Sequence, residues 1–218
     1  MKAIEVPYTQ GKIQVAKNLA ADGRTQLPNN QPKTRVPNEQ RIVERMIAMP
    51  PITPNYPVIP QETWTLKLYG GVSHELTFTY TQLEQLGLQE VTIDFHCVTK
   101  WSKLAQSFTG VDFNKVLNQV VPLATAKYVI FEGSDNYTTN LVLQELIDHT
   151  CILATKMDGK AIEPKYGGPV RAVVPHLYGW KSTKFLSGIR FVTKDEPGFW
   201  ESVGYHNHGD PWLEERYA

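Results

Sequence analysis

Cysteine is scarce in this chain of 218 residues, which contains only Cys97 and Cys151. Two thiols are too few for a disulfide scaffold or for a structural zinc site with four cysteine ligands. We expect both to be reduced, because the N-terminal sequence MKAIEVPYTQ has neither the apolar segment of a secretory signal nor a twin arginine. A single disulfide between the two cysteines is the alternative.

Long apolar runs and an excess of one charge are also missing. The apolar stretches are only a handful of residues long, which predicts no membrane-spanning helix and, with no signal, a cytoplasmic location. The 22 Lys and Arg residues balance the 22 Asp and Glu residues, which argues against a non-specific nucleic-acid binder or a polybasic membrane-surface protein. There is no Walker A sequence and no GxGxxG sequence, so ordinary nucleotide-binding folds have no support.

Proline, by contrast, is concentrated near the N-terminus: nine of the 15 prolines fall in residues 1–60. Proline fixes φ and lacks a backbone donor, so this segment is not expected to be mostly helix or central strand. We interpret residues 1–60 as an arm that wraps a domain formed by residues 61–218, with one short helix near Asn38–Met46. For residues 1–35, a mobile tail is the alternative.

From Trp64 onward the pattern is that of a folded domain, and 41% hydrophobic residues suffice for its core. Apolar residues alternate along several segments and predict strands. Gly70-Gly71 predicts a turn that pairs segment 74–78 with segment 64–68 as a hairpin, and Asp158-Gly159 predicts another hairpin. Thr79 and Gln82 resemble a capping box that opens a short helix ending near Gly87. The predicted strands lie in the following segments: 64–68, 74–78, 91–97, 127–132, 151–157, 170–174 and 184–192. A second helix is predicted around Phe113–Val120. No regular β-α-β alternation is present, so the predicted class is α+β with mixed or antiparallel sheets and short helices.

Cys97 is the first candidate for chemistry. It lies where a predicted strand becomes the loop that contains Lys100 and Lys103, and nearby lysines favour a thiolate. A buried structural cysteine is the alternative, and position alone favours it. Cys151 has no polar neighbours in sequence, and we interpret it as structural.

Two glycine-containing segments could hold an anion. The sequence GGPVR at residues 167–171 predicts a tight loop that brings the backbone close to a ligand, and Arg171 follows it. Hydroxyl residues and the lysines Lys181 and Lys184 occur together in YGWKSTK at residues 178–184, a pattern that suits phosphate. An ordinary basic loop is the alternative.

The histidines are weaker signals. His206 and His208 form a single HxH pattern, and two ligands do not make a metal site. His96 precedes Cys97, and on a strand the two side chains would point to opposite faces. Solvent-facing or hydrogen-bonded histidines are the favoured interpretation for each of them.

Taken together, these segments match a known family in order and spacing. They are HCVTKWSKL (96–104), GGPVR (167–171), VVP (173–175), YGWKSTK (178–184) and GYHNHGDPW (204–212). On these motifs the chain resembles the oxidoreductase molybdopterin-binding, or sulfite oxidase-like, family over about residues 60–218. It is most similar to the small, stand-alone bacterial branch of that family.

The resemblance implies a sulfite oxidase-type fold, Mo-molybdopterin as cofactor, and roles for particular residues. Cys97 occupies the position of the family's molybdenum-binding thiolate, which reverses the interpretation from position alone. The implied cofactor-binding residues are His96, Cys97, Arg171, Ser182, Thr183 and Lys184. Tyr137, in NYTTN, lies where sulfite oxidases carry an active-site tyrosine. His176 follows the VVP segment and is a pocket candidate by position.

The resemblance also implies a reaction: two-electron oxygen-atom transfer at a small sulfur- or nitrogen-centred substrate. Electrons would pass through a separate redox protein, since no haem or iron–sulfur motif is present. The arginine-containing segment that follows the cysteine in sulfite oxidases is absent, and Lys100 or Lys103 could supply positive charge instead. Two alternatives remain: a non-catalytic molybdopterin carrier, and a thiol enzyme that pairs Cys97 with His206 or His176.

Overall fold

The computed structural model describes residues 7–21 and 34–218. Its helices are α1 (Pro7–Ala21), α2 (Tyr80–Gln85), α3 (Phe113–Val120) and α4 (Leu143–Asp148). Its strands are β1 (Arg41–Ile42), β2 (Thr65–Gly70), β3 (Leu76–Thr79), β4 (Leu88–Cys97), β5 (Trp101–Asp112), β6 (Tyr128–Gly133), β7 (Thr138–Val142), β8 (Ile152–Met157), β9 (Lys160–Ala161), β10 (Arg171–Val173) and β11 (Leu186–Val192). Short 3₁₀ helices occupy Pro164–Tyr166, Gly179–Lys181 and Glu201–Val203. The α+β class is confirmed.

Two mixed sheets organise these strands. In the first, the order is β1-β5-β8-β10, with β4 also paired to β5 and β9 to β8, and only the β1–β5 pairing is parallel. In the second, the order is β3-β2-β11-β6-β7, and only β2–β11 is parallel. The hairpins β2–β3 and β8–β9 confirm two of the sequence predictions.

The strands β8 and β10 of the first sheet are buried on both faces. Along β8, Leu153 packs into the main core shared with the second sheet, while Ile152 and Ala154 pack into a smaller cluster on the other side. Along β10, Ala172 belongs to the main core and Val173 to the smaller cluster. This alternation follows from the two-residue period of a strand. The smaller cluster is the one beside the candidate site.

The β4–β5 hairpin keeps the alternate apolar residues of β4 on one face of the sheet up to Cys97. The register shifts between Ile93 and Phe95, where two steps along β4 face three along β5, from Gln106 to Lys103. The extra residue is therefore on β5, where Ala105 has φ 50°. As predicted, alternate residues of β4 contact the smaller cluster: Val91, Ile93, Phe95 and Cys97.

The capping box at α2 is also confirmed. The Thr79 side chain accepts a hydrogen bond from the backbone N–H of Gln82, and the Gln82 side chain accepts one from the backbone N–H of Thr79. Gly87 follows the helix with φ 101°, a conformation in which glycine costs least. Helix α3 begins at Phe113, as expected, and buries its apolar face.

The N-terminal segment differs from its prediction in two respects. The helix expected near Asn38–Met46 is wrong: Arg41 and Val43 donate backbone hydrogen bonds to Lys100 and Ser102 of the β4–β5 hairpin, so this stretch joins the sheet edge as β1. An unpredicted helix, α1, packs against the domain through Ala16, which is fully buried. The mobile-tail alternative is therefore disfavoured for residues 7–21, while residues 1–6 and 22–33 lie outside the described part. The boundary at residue 60 stays a prediction.

Both cysteines are free thiols, as expected. Within residues 7–21 and 34–218, no helix combines the length and apolarity needed to cross a membrane.

Candidate functional site

A cavity lies on the face of the first sheet that carries the smaller cluster. It encloses about 870 Å³ of space between atoms, a figure that includes space open to solvent. Most of its wall is apolar or aromatic, and a few polar side chains converge on it. Those polar residues are Thr9, Lys12, Cys97, Asp135, Tyr137, Arg171, Ser182 and Lys184.

Cys97 is the last residue of β4, and its thiol faces this cavity. The side chain is 6% exposed, and its sulfur lies 3.2 Å from the hydroxyl oxygen of Thr99. Its backbone carbonyl accepts hydrogen bonds from the backbone N–H of Lys100 and the side chain of Gln40. The hairpin turn thus fixes the direction of a soft sulfur donor that opens onto the cavity.

Arg171 supplies a buried positive charge to the same cavity. Its guanidinium donates through Nε, Nη1 and Nη2 to the backbone carbonyls of Ala172, Tyr166 and Ser182. Burial lowers the pKa of this group to about 10. These three bonds fix the position of the guanidinium, which lines the cavity.

Lys184 adds a second cation. Its ammonium donates to the backbone carbonyls of Met49 and Lys165, and it lies 5.7 Å from the centre of the Tyr56 ring. Burial and, to a smaller extent, the charge of Arg171 together lower its pKa to about 7. A group with this pKa gains from a nearby anion, because an opposite charge favours the protonated form.

Ser182 and Thr183 shape the loop between these two cations. The Ser182 hydroxyl accepts a hydrogen bond from the backbone N–H of Val174, and the Thr183 carbonyl accepts one from Ala172. Ser182 lines the cavity, whereas Thr183 is fully buried beside it. The pair therefore anchors the YGWKSTK loop to β10 and to the residues that follow it.

Tyr137 and Asp135 lie on the side of the cavity formed by the β6–β7 turn. The Tyr137 hydroxyl donates to the Trp180 carbonyl at 2.6 Å, and burial raises its pKa well above the ordinary value. Burial also raises the pKa of Asp135, whose carboxylate accepts a hydrogen bond from the backbone N–H of Tyr137. The phenol stays neutral, and its oxygen retains capacity to accept a hydrogen bond from a ligand.

Comparison with known proteins identifies the family to which this arrangement belongs. The sequence model of the "Oxidoreductase molybdopterin binding domain" matches residues 53–200. The chain belongs to this family. A curated relative, "Uncharacterized oxidoreductase YuiH" of Bacillus subtilis (strain 168), is 39% identical over 155 residues, which are 71% of this chain and 78% of the relative.

A solved structure has a similar fold. The crystal structure of the sulfane dehydrogenase SoxCD from Paracoccus pantotrophus superposes with a TM-score of 0.58 at 18% sequence identity. The match covers 64% of this chain and 40% of that chain. The likeness confirms the sulfite oxidase-type fold of this molybdopterin-binding domain.

The cavity fits the cofactor of the family, Mo-molybdopterin. Molybdenum is held well by soft sulfur donors, and the Cys97 thiol opens onto the cavity. The cofactor's phosphate needs positive charge and N–H donors, and both Arg171 and Lys184 line the same space. The largely apolar remainder of the wall suits a planar ring system.

Two predicted site residues lie elsewhere: His96, which the resemblance implied, and His176, which was a candidate by its position. His96 and His176 line a separate, more open cavity on the other side of β4, together with His149 and Trp212. His96 accepts or donates a 2.7 Å hydrogen bond between Nδ1 and the Ser102 hydroxyl, and burial lowers its pKa to about 4. The alternation of a strand separates it from Cys97, and the structure does not bring either histidine to the cavity of the thiol.

The HxH pair has a structural position as well. His208 lies between two carboxylates, with Nδ1 2.7 Å from Glu215 and Nε2 3.0 Å from Glu145. Within residues 7–21 and 34–218, no cluster of three or more His, Cys, Asp or Glu side chains could hold a metal ion. Neither His206 nor His208 lines the cavity of Cys97, so the thiol–histidine alternative gains no support from the geometry.

Three lysines that the sequence singled out point away from the cavity. Lys100 forms an exposed ion pair with Glu39 at 2.5 Å, and Lys103 donates to the Leu104 carbonyl. Lys181 is fully buried in an ion pair with Glu201. The lysines that do line the cavity are Lys184 and Lys12.

Sequence reasoning missed Lys12 and the aromatic wall. Lys12 lies on α1, within residues 1–60, where the many prolines predicted little helix. The wall contains Trp180, Trp200 and Tyr205, and the Trp200 and Tyr205 rings stack at 4.9 Å between centroids. The concentration of aromatic residues after residue 177 was visible in the sequence, but no periodicity showed which of them would meet.

Proposed function

We propose that this chain is a molybdenum-dependent oxidoreductase that transfers an oxygen atom to or from a small sulfur- or nitrogen-centred substrate. In this proposal the Cys97 thiolate binds molybdenum, and one molybdopterin occupies the cavity. The single observation that carries it is the position of the Cys97 thiol in the same cavity as the Arg171 and Lys184 cations. Membership of the molybdopterin-binding family supports the cofactor and the class of enzyme.

When bound, the cofactor supplies a metal centre that exchanges two electrons and an oxygen atom with the substrate. The chain's own residues bind and orient the reactants. Arg171 and Lys184 hold the cofactor's phosphate, and the Ser182–Thr183 backbone keeps these two cations in place. Tyr137 stays neutral and offers a hydroxyl at the wall nearest Trp180.

The aromatic wall excludes water from the reaction space. Trp180 and Tyr178 stack at 5.3 Å, and Tyr205 contacts both Trp180 and Trp200 edge-on or stacked. A cavity bounded by such rings strengthens the charges that face it, because the local dielectric constant is low. Electrons would enter or leave through a separate electron-transfer protein.

Molybdenum content tests the proposal most directly. The chain would be produced in a host that synthesises molybdopterin, and molybdenum per chain would be measured by elemental mass spectrometry. We expect nearly one molybdenum per chain in the wild type and almost none in Cys97→Ser. Dye-linked reduction of small S-oxides and N-oxides, and dye-linked oxidation of sulfite, would then establish whether the loaded protein turns over.

Cys151→Ala provides the matched control. Cys151 is 1% exposed and lies in the main core, away from the cavity, so its removal should leave molybdenum content unchanged. A Cys97→Ser protein that kept wild-type molybdenum would contradict the assignment of the ligand. A loaded protein with no redox activity towards any of these substrates would favour the carrier alternative.

A further inference from the structure

Helix α1 forms one wall of the cofactor cavity. Thr9 and Lys12 line the cavity, Ile13 packs against the cluster that contains Tyr137, and Ala16 is fully buried in the cluster that contains Cys97. The spacing 9, 12, 13 and 16 places all four on one face of a helix. This helix lies outside the stretch that the family model matches, residues 53–200, so it is a part of this chain's site that family membership does not specify.

Lys12 brings a third cation into the cavity. Among the described residues that line it, Lys12, Arg171 and Lys184 are basic and Asp135 is acidic. Lys12 and Lys184 line the same cavity, and they are close enough for the charge of Lys12 to lower the pKa of Lys184. Three like charges in a partly enclosed, largely apolar space repel one another, and a bound anion relieves that repulsion.

Of the two lysines on α1, Lys12 lines the cavity and Lys17 does not. Lys17 lies on the same helix but is exposed to solvent, whereas Lys12 is half-buried, and burial lowers the pKa of Lys12. Burial disfavours the charged form of a lysine, and an oxyanion in the same cavity favours it. The helix thus presents one of its lysines to the cavity and the other to solvent.

We propose that Lys12 is an anion-binding residue of this site and that α1 places its ammonium against a tetrahedral oxyanion held by Arg171 and Lys184. The proposal rests on the molybdopterin site described above. The oxyanion has two sources with the same chemistry: the phosphate monoester of the bound cofactor and a free oxyanion of the substrate type. In either case Lys12 acts by charge and by donating hydrogen bonds.

Two measurements on Lys12→Gln, Lys12→Arg and Lys17→Gln distinguish the sources. The first is pterin and molybdenum retained per chain after prolonged dialysis, with pterin measured by fluorescence after oxidative release. The second is the dissociation constant of inorganic sulfate, an unreactive tetrahedral dianion, measured by calorimetry on both the loaded and the cofactor-free protein. Circular dichroism and the thermal midpoint check that each variant folds.

If Lys12 meets the cofactor's phosphate, Lys12→Gln should release cofactor about tenfold faster than the wild type. If it meets a free oxyanion, cofactor retention should be unchanged and sulfate should bind the loaded protein about tenfold more weakly. In both cases Lys12→Arg should keep most of the wild-type cofactor retention or sulfate affinity, and Lys17→Gln should match the wild type.

A Lys12→Gln protein that folds normally, retains its cofactor and binds sulfate like the wild type, loaded and cofactor-free, would overturn the proposal. A wild type that takes up no cofactor would overturn the proposed function instead. The sulfate titration of the cofactor-free protein would then still decide the role of Lys12, because an effect on sulfate binding there requires only the three cations.

Discussion

The ammonium of Lys181 lies 2.6 Å from the carboxylate of Glu201, and each side chain is only 1% exposed. The same glutamate oxygen accepts hydrogen bonds from the Thr139 hydroxyl at 2.6 Å and from the Trp180 indole at 2.9 Å. The ammonium also donates to Asn140 and to the carbonyl of residue 207. This ion pair ties the YGWKSTK loop to the 3₁₀ helix Glu201–Val203, and it explains why Lys181 does not serve the cavity.

Replacing Lys181 with methionine should destabilise the protein by about 3 kcal/mol or more, because it leaves a buried carboxylate without its cation. Urea unfolding followed by fluorescence would measure the change. Lys165→Met is the matched control: Lys165 pairs with Glu163 at 2.9 Å on the exposed surface, where solvent screens the two charges and loss of the pair should change stability little. Equal effects of the two substitutions would contradict the structural role assigned to the buried pair.

Gly179 lies where the cavity wall meets β4. A Cβ at this position would stand 2.5 Å from Cε1 of the Phe95 ring, which is too close for any real contact. Gly179→Ala should therefore shift the loop and destabilise the protein by about 1–3 kcal/mol, with a loss of cofactor. Adding Phe95→Leu should recover part of the stability, since it removes the clashing ring atoms. A Gly179→Ala protein with wild-type stability and cofactor content would show that the wall yields without cost.

Gly11 offers a change in the opposite direction. It lies inside α1, and a Cβ built there meets nothing within 4 Å. Gly11→Ala should stabilise the helix by about 1 kcal/mol, because alanine loses less backbone freedom than glycine on folding. Hydrogen exchange of the α1 amides should slow by about fivefold for each kcal/mol gained. Unchanged exchange in α1 would contradict the prediction, because it would mean that Gly11 does not limit the stability of the helix.

Stability should depend on pH through His208. Hydrogen bonds to Glu145 and Glu215 raise its pKa from 6.5 to about 10, while burial lowers the pKa values of the neighbouring His176 and His206. A raised pKa means that the folded state binds the proton more tightly. The contribution of protonated His208 to the free energy of unfolding is therefore complete below about pH 6.5 and is lost as the pH rises towards 10.

The measurement is urea unfolding of the wild type and of His208→Gln at about pH 6 and about pH 9.5. The difference in unfolding free energy between the two proteins should be larger at the lower pH. His74→Gln is the control, since His74 is exposed and its Nδ1 lies at hydrogen-bond distance from the Ser73 hydroxyl rather than from a carboxylate. A difference that grows with pH would reverse the predicted sign and refute the charged state assigned to His208.

Local sequence signals predicted much of the fold. The β2–β3 hairpin, the capping box at Thr79, the helix from Phe113 and the apolar face of β4 all depend on neighbours within a few residues, and each is present. Segment 38–46 failed because its conformation is set by backbone hydrogen bonds to a hairpin some sixty residues further along the chain. No local pattern encodes such a partner.

The same distinction between local motifs and distant contacts applies to the residues of the candidate site. Cys97, Arg171 and Lys184 could be assigned from the family resemblance, because each lies in a motif whose order and spacing match the family. The structure places all three at one cavity. His176 was placed by its position after a strand, which says nothing about the face on which the next loop emerges. Lys12 could not be found, because α1 is stabilised by its packing on the cavity wall rather than by its own residue preferences.

The extra residue of the β4–β5 hairpin also limits how this sequence can change in length. Because the extra residue lies on β5, near Ala105, the side chains of β4 keep their alternation without interruption up to Cys97. A one-residue deletion in β4 would turn the cysteine to the far side of the sheet and bring His96 to the cavity, whereas a deletion near Ala105 would leave the cysteine in place. Natural variants of this hairpin should therefore have insertions and deletions mainly in β5 and rarely in β4.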